Sequence, residues 1–134
     1  MVQAKVFVVI VGLLAFMGSP GAAESPYGQL VVFENPGCGT CLLFEKEIGK
    51  AYPRTELGQE LPLVRVNTFS VPEEWTPLAQ TVCFTPTFLI LDREGQVRGR
   101  WIGYRGDEFF WSNLEKEVAL LRREQRRGES VLAR

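Results

Sequence analysis

The feature that most constrains this chain is a pair of cysteines, Cys38 and Cys41, placed where a strand gives way to a helix. The apolar run Leu30–Phe33 predicts a buried strand, and Asn35-Pro36-Gly37 ends it with a turn. A helix is then expected from Cys38 or Gly39. Because three residues make nearly one helical turn, both sulfurs lie at the same end of that helix. Unpaired N–H groups there favour a thiolate, so the pattern predicts a redox-active dithiol in which Cys38 attacks and the more shielded Cys41 resolves.

Other uses of the Cys38-Gly39-Thr40-Cys41 motif need residues that this chain lacks. Haem attachment requires a histidine after the second cysteine, where Leu42 stands, and the sequence contains no histidine. That absence also excludes His-ligated metals and Ser-His or Cys-His catalytic couples. Three cysteines are too few for a four-cysteine zinc or iron–sulfur site, and a disulfide within one helical turn closes too small a loop to stabilise much. We therefore expect no metal and no small-molecule cofactor, the redox-active group being the Cys38–Cys41 disulfide itself.

The first segment of the chain predicts export. Lys5 and the amino terminus give a positive start, Val6–Met17 is apolar, and Gly21-Ala22-Ala23 supplies small residues. This pattern predicts a signal peptide over residues 1–23, cleaved near Ala23. The alternative is an uncleaved N-terminal membrane anchor, although the apolar run is shorter than the roughly 20 residues of a spanning helix. In an oxidising compartment a free dithiol persists only if another protein reduces it.

Length and composition indicate one globular domain. The chain has 134 residues, of which 46% are hydrophobic and 23% charged, and this excludes a disordered chain. A formal net charge of −1 gives no reason to expect nucleic acid or an anionic membrane surface as a partner. We assign the domain to residues 24–127 and a flexible tail to residues 128–134, because Gly128 is a typical helix end.

The remaining patterns predict an α/β chain with the element order β-α-β-α-β-β-α. Further strands are expected at Leu63–Asn67, Thr87–Leu91 and Gln96–Ile102, the last one an edge strand that follows a hairpin turn at Asp92–Gly95. Helices are expected within Val71–Val82 and from an N-cap at Asp107 to Gly128. The polar stretch Arg54–Glu60 is expected to be a loop.

A second motif, Thr85-Pro86-Thr87, opens the third predicted strand. Together with the C-x-x-C motif, the Gly95 hairpin and Gly103 after the last strand, it resembles the thioredoxin superfamily over roughly residues 28–126. The resemblance implies a thioredoxin-like fold with a central mixed sheet flanked by helices. It also implies that Pro86 is preceded by a cis peptide bond and packs against the dithiol, and that the Thr85 backbone pairs with the substrate peptide.

The sequence is more specifically similar to periplasmic thioredoxin-like proteins of sulfur-oxidation operons, the SoxS type. The shared stretches are Phe33-Glu34-x-Pro36-Gly37-Cys38-x-x-Cys41, Pro62-Leu63-x-Arg65-Val66-Asn67, Thr85-Pro86-Thr87-Phe88 and Gly103-Tyr104-x-Gly106-x-x-Phe109-Phe110-Trp111. This resemblance implies a periplasmic reductase that keeps thiols of a partner protein reduced, notably a sulfur-carrier protein of thiosulfate oxidation. Its electrons would come from a membrane thiol-reductase relay. The alternatives are a disulfide oxidase or isomerase, and a non-enzymatic metal chaperone.

The sequence departs from thioredoxins proper at positions that matter for the chemistry. Gly37 replaces the tryptophan before the first cysteine, and Gly39-Thr40 replaces Gly-Pro within the motif. The buried aspartate that accepts a proton in thioredoxins is Val32 here, and the kink proline of the following helix is Lys46. Glu34 is the nearest candidate proton acceptor for the second thiol, unless it is simply a solvated carboxylate at a strand end.

A third cysteine, Cys83, lies shortly before Pro86. In the fold implied by the resemblance this loop faces the C-x-x-C motif. Cys83 could form a regulatory disulfide with Cys38, or complete a three-sulfur site with Cys41 for a soft metal such as Cu(I), which is the arrangement that a metal chaperone would need. The alternative is a spare, partly buried thiol.

Overall fold

The computed structural model describes residues 27–133, so the segment predicted as a signal peptide lies outside the described residues. A four-stranded mixed sheet forms the centre. Its strands are β1 (Gly28–Glu34), β2 (Leu63–Asn67), β3 (Thr87–Asp92) and β4 (Val97–Ile102). They lie in the order β2-β1-β3-β4, with β2 parallel to β1 and the other pairs antiparallel. The predicted strands and the edge position of β4 are confirmed.

Short helices and one long helix connect and flank these strands. They are α1 (Gly39–Phe44), a π-helical turn (Glu45–Gly49), a 3₁₀ turn (Tyr52–Arg54), α2 (Glu56–Glu60), a 3₁₀ turn (Glu73–Trp75), α3 (Thr76–Ala79) and α4 (Asp107–Leu132). The prediction of a loop at Arg54–Glu60 is therefore wrong. Thr55 caps α2 by accepting the Gly58 N–H at 2.9 Å, a local signal that outweighs the polar composition.

The last helix differs from the prediction at both ends. Gly106, with a φ of 105°, is the N-cap, and Asp107 is the first helical residue. The helix continues through Gly128 to Leu132, so the prediction that Gly128 ends it is wrong. A glycine within a helix costs only about 0.5–1 kcal/mol relative to alanine, so one glycine is not enough to end this helix. The flexibility of residues 128–134 stays a prediction.

Helices cover both faces of the sheet, and the side chains of β1 alternate between them. Leu30 and Val32 belong to a core that also holds Phe44, Phe88 and Phe110. The rings of Phe44 and Phe88 pack edge to face, with their centroids 4.9 Å apart. The opposite face packs against residues 71–82. Because Phe44 ties α1 to the sheet, the first turn of α1 is held at the end of β1.

Asp92 closes the β3–β4 hairpin turn as predicted. Its carbonyl accepts the Gly95 N–H at 3.0 Å, and Gly95 has the positive φ that such a turn favours. Its buried carboxylate accepts the Gln96 N–H at 2.8 Å and Arg98 Nε at 2.6 Å. Burial by itself raises the pKa of Asp92, but these hydrogen bonds and the Arg98 charge outweigh burial and hold the pKa below its ordinary value.

Candidate active site

The turn after β1 places the two cysteines. Asn35 accepts the Gly37 N–H with its side chain at 3.0 Å and the Cys38 N–H with its carbonyl at 3.2 Å. The Asn35 side-chain amide also donates to Thr85 Oγ1 at 3.0 Å. Cys38 is the N-cap of α1 and forms a disulfide with Cys41, their Cα atoms 5.2 Å apart. The predicted order is confirmed: a strand ends, a turn follows, and a helix begins with both cysteines in its first turn.

The sulfur of Cys38 sits among hydrogen-bond donors of the first helical turn. It accepts the Cys41 N–H at 3.1 Å, and Thr40 Oγ1 lies 3.4 Å away. Because the disulfide sulfur carries no proton, the Thr40 hydroxyl is the donor of that contact. Cys38 is half-buried, whereas Cys41 is only 3% exposed. This difference supports the predicted division into an attacking Cys38 and a resolving Cys41.

The loop before β3 lies directly against the dithiol. The carbonyl oxygen of Thr85 is 3.4 Å from Cys38 Sγ, and the Thr85–Pro86 peptide bond is cis. Pro86 is buried and its carbonyl accepts the Gly103 N–H at 2.7 Å. Thr87 Oγ1 donates to the Phe84 carbonyl at 2.6 Å. The structure therefore brings the carbonyl of Thr85, which precedes the cis bond to Pro86, to the dithiol.

Glu34 and Cys41 line one pocket of about 320 Å³ behind the motif. Arg65, on the adjacent strand β2, donates to the Glu34 carboxylate at 3.3 Å and also pairs with Glu45. The remaining lining residues are Asn35, Pro36, Leu42 and Asn67. Glu34 thus faces the resolving cysteine's pocket, and it shares a guanidinium there with a second carboxylate.

Sequence reasoning missed Arg65 and Glu45. Arg65 stands in one of the stretches shared with the SoxS type, but only the parallel pairing of β1 with β2 places it beside Glu34. Glu45 begins the π-helical turn, which occupies the region where thioredoxins kink at proline. A Cβ on Gly49, the last residue of that turn, would collide with Glu45 and Arg65. The glycine therefore leaves room for the ion pair.

Tyr104 ties the region after β4 to the helix that carries the dithiol. Its hydroxyl donates to the Glu47 carboxylate at 2.6 Å, and the centroids of the Tyr104 and Phe44 rings lie 5.7 Å apart. Burial, the hydrogen bond and the Glu47 charge raise the pKa of Tyr104 well above its ordinary value. Tyr104 therefore stays neutral and acts here as a hydrogen-bond donor.

Cys83 is exposed and unpaired. Within residues 27–133, no three His, Cys, Asp or Glu side chains lie close enough together to hold a metal ion. The structure therefore does not bring Cys83, Cys38 and Cys41 together as the three-sulfur site of a metal chaperone. Across the same residues, no helix is long and apolar enough to cross a membrane.

Comparisons with known proteins agree with this geometry. A family model for a thioredoxin-like domain matches residues 21–117. The periplasmic thioredoxin SoxS from Paracoccus pantotrophus, in its reduced form, is 34% identical, with a TM-score of 0.58 over 68% of this chain and 95% of that one.

More distant structures share the fold. Thioredoxin from Trichomonas vaginalis is 21% identical, with a TM-score of 0.51 over 69% of this chain and 81% of that one. Thioredoxin 1 from Thermosipho africanus is 14% identical, with a TM-score of 0.51 over 69% of this chain and 96% of that one. A search of the curated proteins found no match.

Proposed function

This chain belongs to the thioredoxin-like family, and we propose that it is an exported reductase that keeps the thiols of a partner protein reduced. It is a thiol–disulfide oxidoreductase with a Cys38–Cys41 redox pair. The observation that carries the proposal is the placement of this pair at the start of α1, with Cys38 Sγ against the Thr85 carbonyl. The redox pair and the carbonyl proposed to bind the substrate backbone therefore lie at the same end of the sheet.

The reaction is a pair of thiol–disulfide exchanges. The Cys38 thiolate attacks one sulfur of the substrate disulfide, that S–S bond breaks, and the first substrate thiolate leaves. Cys41 loses its proton and attacks the Cys38 sulfur, which releases the second substrate thiolate and forms the Cys38–Cys41 disulfide. Two electrons pass from the dithiol to the substrate, and the released thiolates take up protons according to their pKa.

The direction and the partners rest on the likeness to SoxS and on the compartment. A periplasmic relative that is 34% identical supports export of this chain, with residues 1–23 as its signal peptide. In an oxidising compartment a reductase must itself be re-reduced, so a membrane thiol-reductase relay is the proposed electron donor. A sulfur-carrier protein of thiosulfate oxidation is the proposed substrate.

Glu34 is the proposed acceptor of the Cys41 proton. Cys41 is buried, and burial disfavours its thiolate. A nearby base is therefore needed to remove the thiol proton when Cys41 attacks. Glu34 lines the same pocket as Cys41, and the pocket volume of about 320 Å³ is large enough to hold water. Arg65 holds the Glu34 carboxylate at this edge of the pocket.

Trapping tests the assignment of the two cysteines. Cys41→Ala keeps the attacking thiol and removes the resolving one, so it should accumulate mixed disulfides with the partner on Cys38. Cys38→Ser should abolish turnover, whereas Cys83→Ala, the control at the remaining cysteine, should leave it unchanged. Capture of a sulfur-carrier protein from periplasm supports the proposed substrate.

Other outcomes would contradict the proposal. Turnover by Cys38→Ser, or adducts linked only through Cys83, would refute the assigned roles. A reduction potential measured against glutathione decides the direction: a strongly oxidising value, near the roughly −120 mV of DsbA, would refute the reductase and indicate an oxidase.

A further inference from the structure

A second pocket lies at the end of the sheet opposite the dithiol. β1 begins there at Gly28, which pairs with Asp92 of β3, whereas Cys38 follows the other end of β1. The length of β1 separates the two ends by about 20 Å. The pocket has a volume of about 200 Å³ and is lined by Tyr27, Arg93, Arg122, Gln125, Arg126 and Glu129. It shares no lining residue with the pocket behind the dithiol.

The walls of this pocket are held by contacts between α4 and the start of β1. The four lining residues of α4 lie on one helix face, at positions 122, 125, 126 and 129. The Gln125 side-chain amide donates to the Tyr27 carbonyl at 3.2 Å. Arg122 donates through Nε to the Glu60 carboxylate at 3.1 Å, and its guanidinium lies 5.6 Å from the centre of the Tyr27 ring. Arg93, in the β3–β4 turn, lies across from this ordered wall.

The charges of the pocket are not balanced within the described part of the chain. Among the described residues, the lining sets three guanidinium groups against one carboxylate, that of Glu129. Arg122 has its partner in Glu60, but within residues 27–133 neither Arg93 nor Arg126 pairs with a carboxylate. Arg126 donates through Nε to the Arg122 carbonyl at 3.3 Å, which uses one of its five N–H donors. Both side chains are exposed, so their remaining donors are accessible to a ligand.

The position of these arginines along α4 is not explained by the helix end. Cations stabilise the carboxyl end of a helix, but the effect falls off within the last turn. Because α4 runs through Gly128 to Leu132, its last turn within the described residues contains no basic side chain. Arg122 and Arg126 lie further back, where the helix dipole gives them little stabilisation.

We propose that this pocket binds a phosphate group between Arg93 and Arg126, either as free inorganic phosphate or as the headgroup of an anionic lipid. We call it the arginine pocket. Guanidinium groups present paired N–H donors that match the oxygens of a phosphate, and an anion between them lowers their mutual repulsion. A volume of about 200 Å³ is below the roughly 300–1,000 Å³ of pockets for larger ligands, so it suits a small charged group. The inference does not depend on the proposed function, because no dithiol residue lines this pocket.

An NMR titration with inorganic phosphate tests the proposal. The backbone amides and the arginine Nε–H groups of the purified, oxidised protein are followed while sodium chloride keeps the ionic strength constant. We expect saturable shifts at residues 92–94 and 122–129 and no shifts at residues 38–41, because the two ends of β1 are about 20 Å apart.

Variants of the lining locate the bound anion. Arg93→Gln and Arg126→Gln should each weaken the Kd for phosphate about tenfold, because each removes charge-assisted hydrogen bonds. Glu129→Gln should tighten the Kd about threefold, because it removes a negative charge from the pocket. Arg127→Gln is the matched control: it removes the same charge beside Arg126 but lies outside the lining, so the Kd should change by less than about twofold.

Vesicles distinguish the two sources of the phosphate group. Saturable binding of inorganic phosphate assigns the pocket to the free anion. Binding to phosphatidylglycerol vesicles but not to phosphatidylcholine vesicles, lost in Arg126→Gln and retained in Arg127→Gln, assigns it to a lipid headgroup when free phosphate gives no response.

Three results would overturn the arginine pocket. The first is the absence of both saturable phosphate shifts and phosphatidylglycerol binding. The second is an Arg127→Gln variant that loses as much affinity as Arg126→Gln, since binding would then follow overall charge. The third is a Glu129→Gln variant that binds phosphate more weakly than wild type, because that carboxylate would then be part of the binding site.

Discussion

Replacement of Thr40 by valine tests how the first turn of α1 activates Cys38. Valine has nearly the same shape as threonine and lacks the hydroxyl that lies 3.4 Å from Cys38 Sγ. In reduced protein this hydroxyl can donate to the Cys38 thiolate, alongside the Cys41 N–H at 3.1 Å. We expect Thr40→Val to destabilise the thiolate and to raise the pKa of Cys38.

The geometry sets the size of the effect. A hydrogen bond to a charged group contributes about 1.5–3 kcal/mol, and the solvent exposure of Thr40 reduces its contribution to about 1 kcal/mol. Since about 1.36 kcal/mol moves a pKa by one unit, the titration midpoint should rise by somewhat less than one pH unit. At pH values above the Cys38 midpoint, the reduced form is destabilised by the same roughly 1 kcal/mol, so the reduction potential should fall by about 20 mV.

The assay follows thiolate absorbance against pH in a Cys41→Ala, Cys83→Ala background, where Cys38 is the sole thiol. In this background Cys38 itself should titrate below the roughly 8.5 of free cysteine, because of the helix start. Thr40→Ser keeps the hydroxyl and should leave the midpoint unchanged. An unchanged or lower midpoint in Thr40→Val would refute the donor role of Thr40, and a Cys38 midpoint at or above free cysteine would refute the helix-start argument.

Two further predictions follow from the charged groups. Gly49→Ala should separate Glu45 from Arg65 and shift the pH profile of mixed-disulfide resolution. The free energy of unfolding should change by less than about 1 kcal/mol, because this ion pair is partly exposed. An unchanged pH profile in stopped-flow measurements would contradict a role of the Arg65–Glu45 pair in resolution. Asp92→Asn should lower stability by about 1 kcal/mol at pH 7. Since folding lowers the pKa of Asp92, wild type has this stabilisation above the unfolded pKa of about 3.9 and loses it as pH falls through the folded pKa. In urea unfolding, the free energies of unfolding of wild type and Asp92→Asn should therefore converge in acid. A difference that is independent of pH would contradict the stabilising role of the Asp92–Arg98 pair.

The structure also shows where local sequence signals competed. The polar composition of Arg54–Glu60 indicated a loop, yet the Thr55 side chain supplies a cap and a short helix forms. At Gly128 a residue typical of helix ends lies within α4, because its cost is smaller than the gain from continuing the helix. In both places, the outcome depended on the balance of terms that differ by about 1 kcal/mol or less.

The sequence by itself determined the features that depend on neighbouring residues. Leu63–Asn67 forms a strand with the predicted bounds, and the turn before Cys38 starts a helix with both sulfurs in its first turn. Alternation, turn residues and one helical turn are properties of a few consecutive residues, so they are readable without a fold. The family resemblance also implied that the Thr85 backbone lies beside the dithiol.

Only the tertiary structure decided which distant side chains share the site. Arg65 meets Glu34 because β2 pairs with β1 in one parallel register, and it meets Glu45 because a π-helical turn follows α1. Each juxtaposition joins residues far apart in the chain, and its geometry comes from strand order and helix packing, which no local pattern encodes.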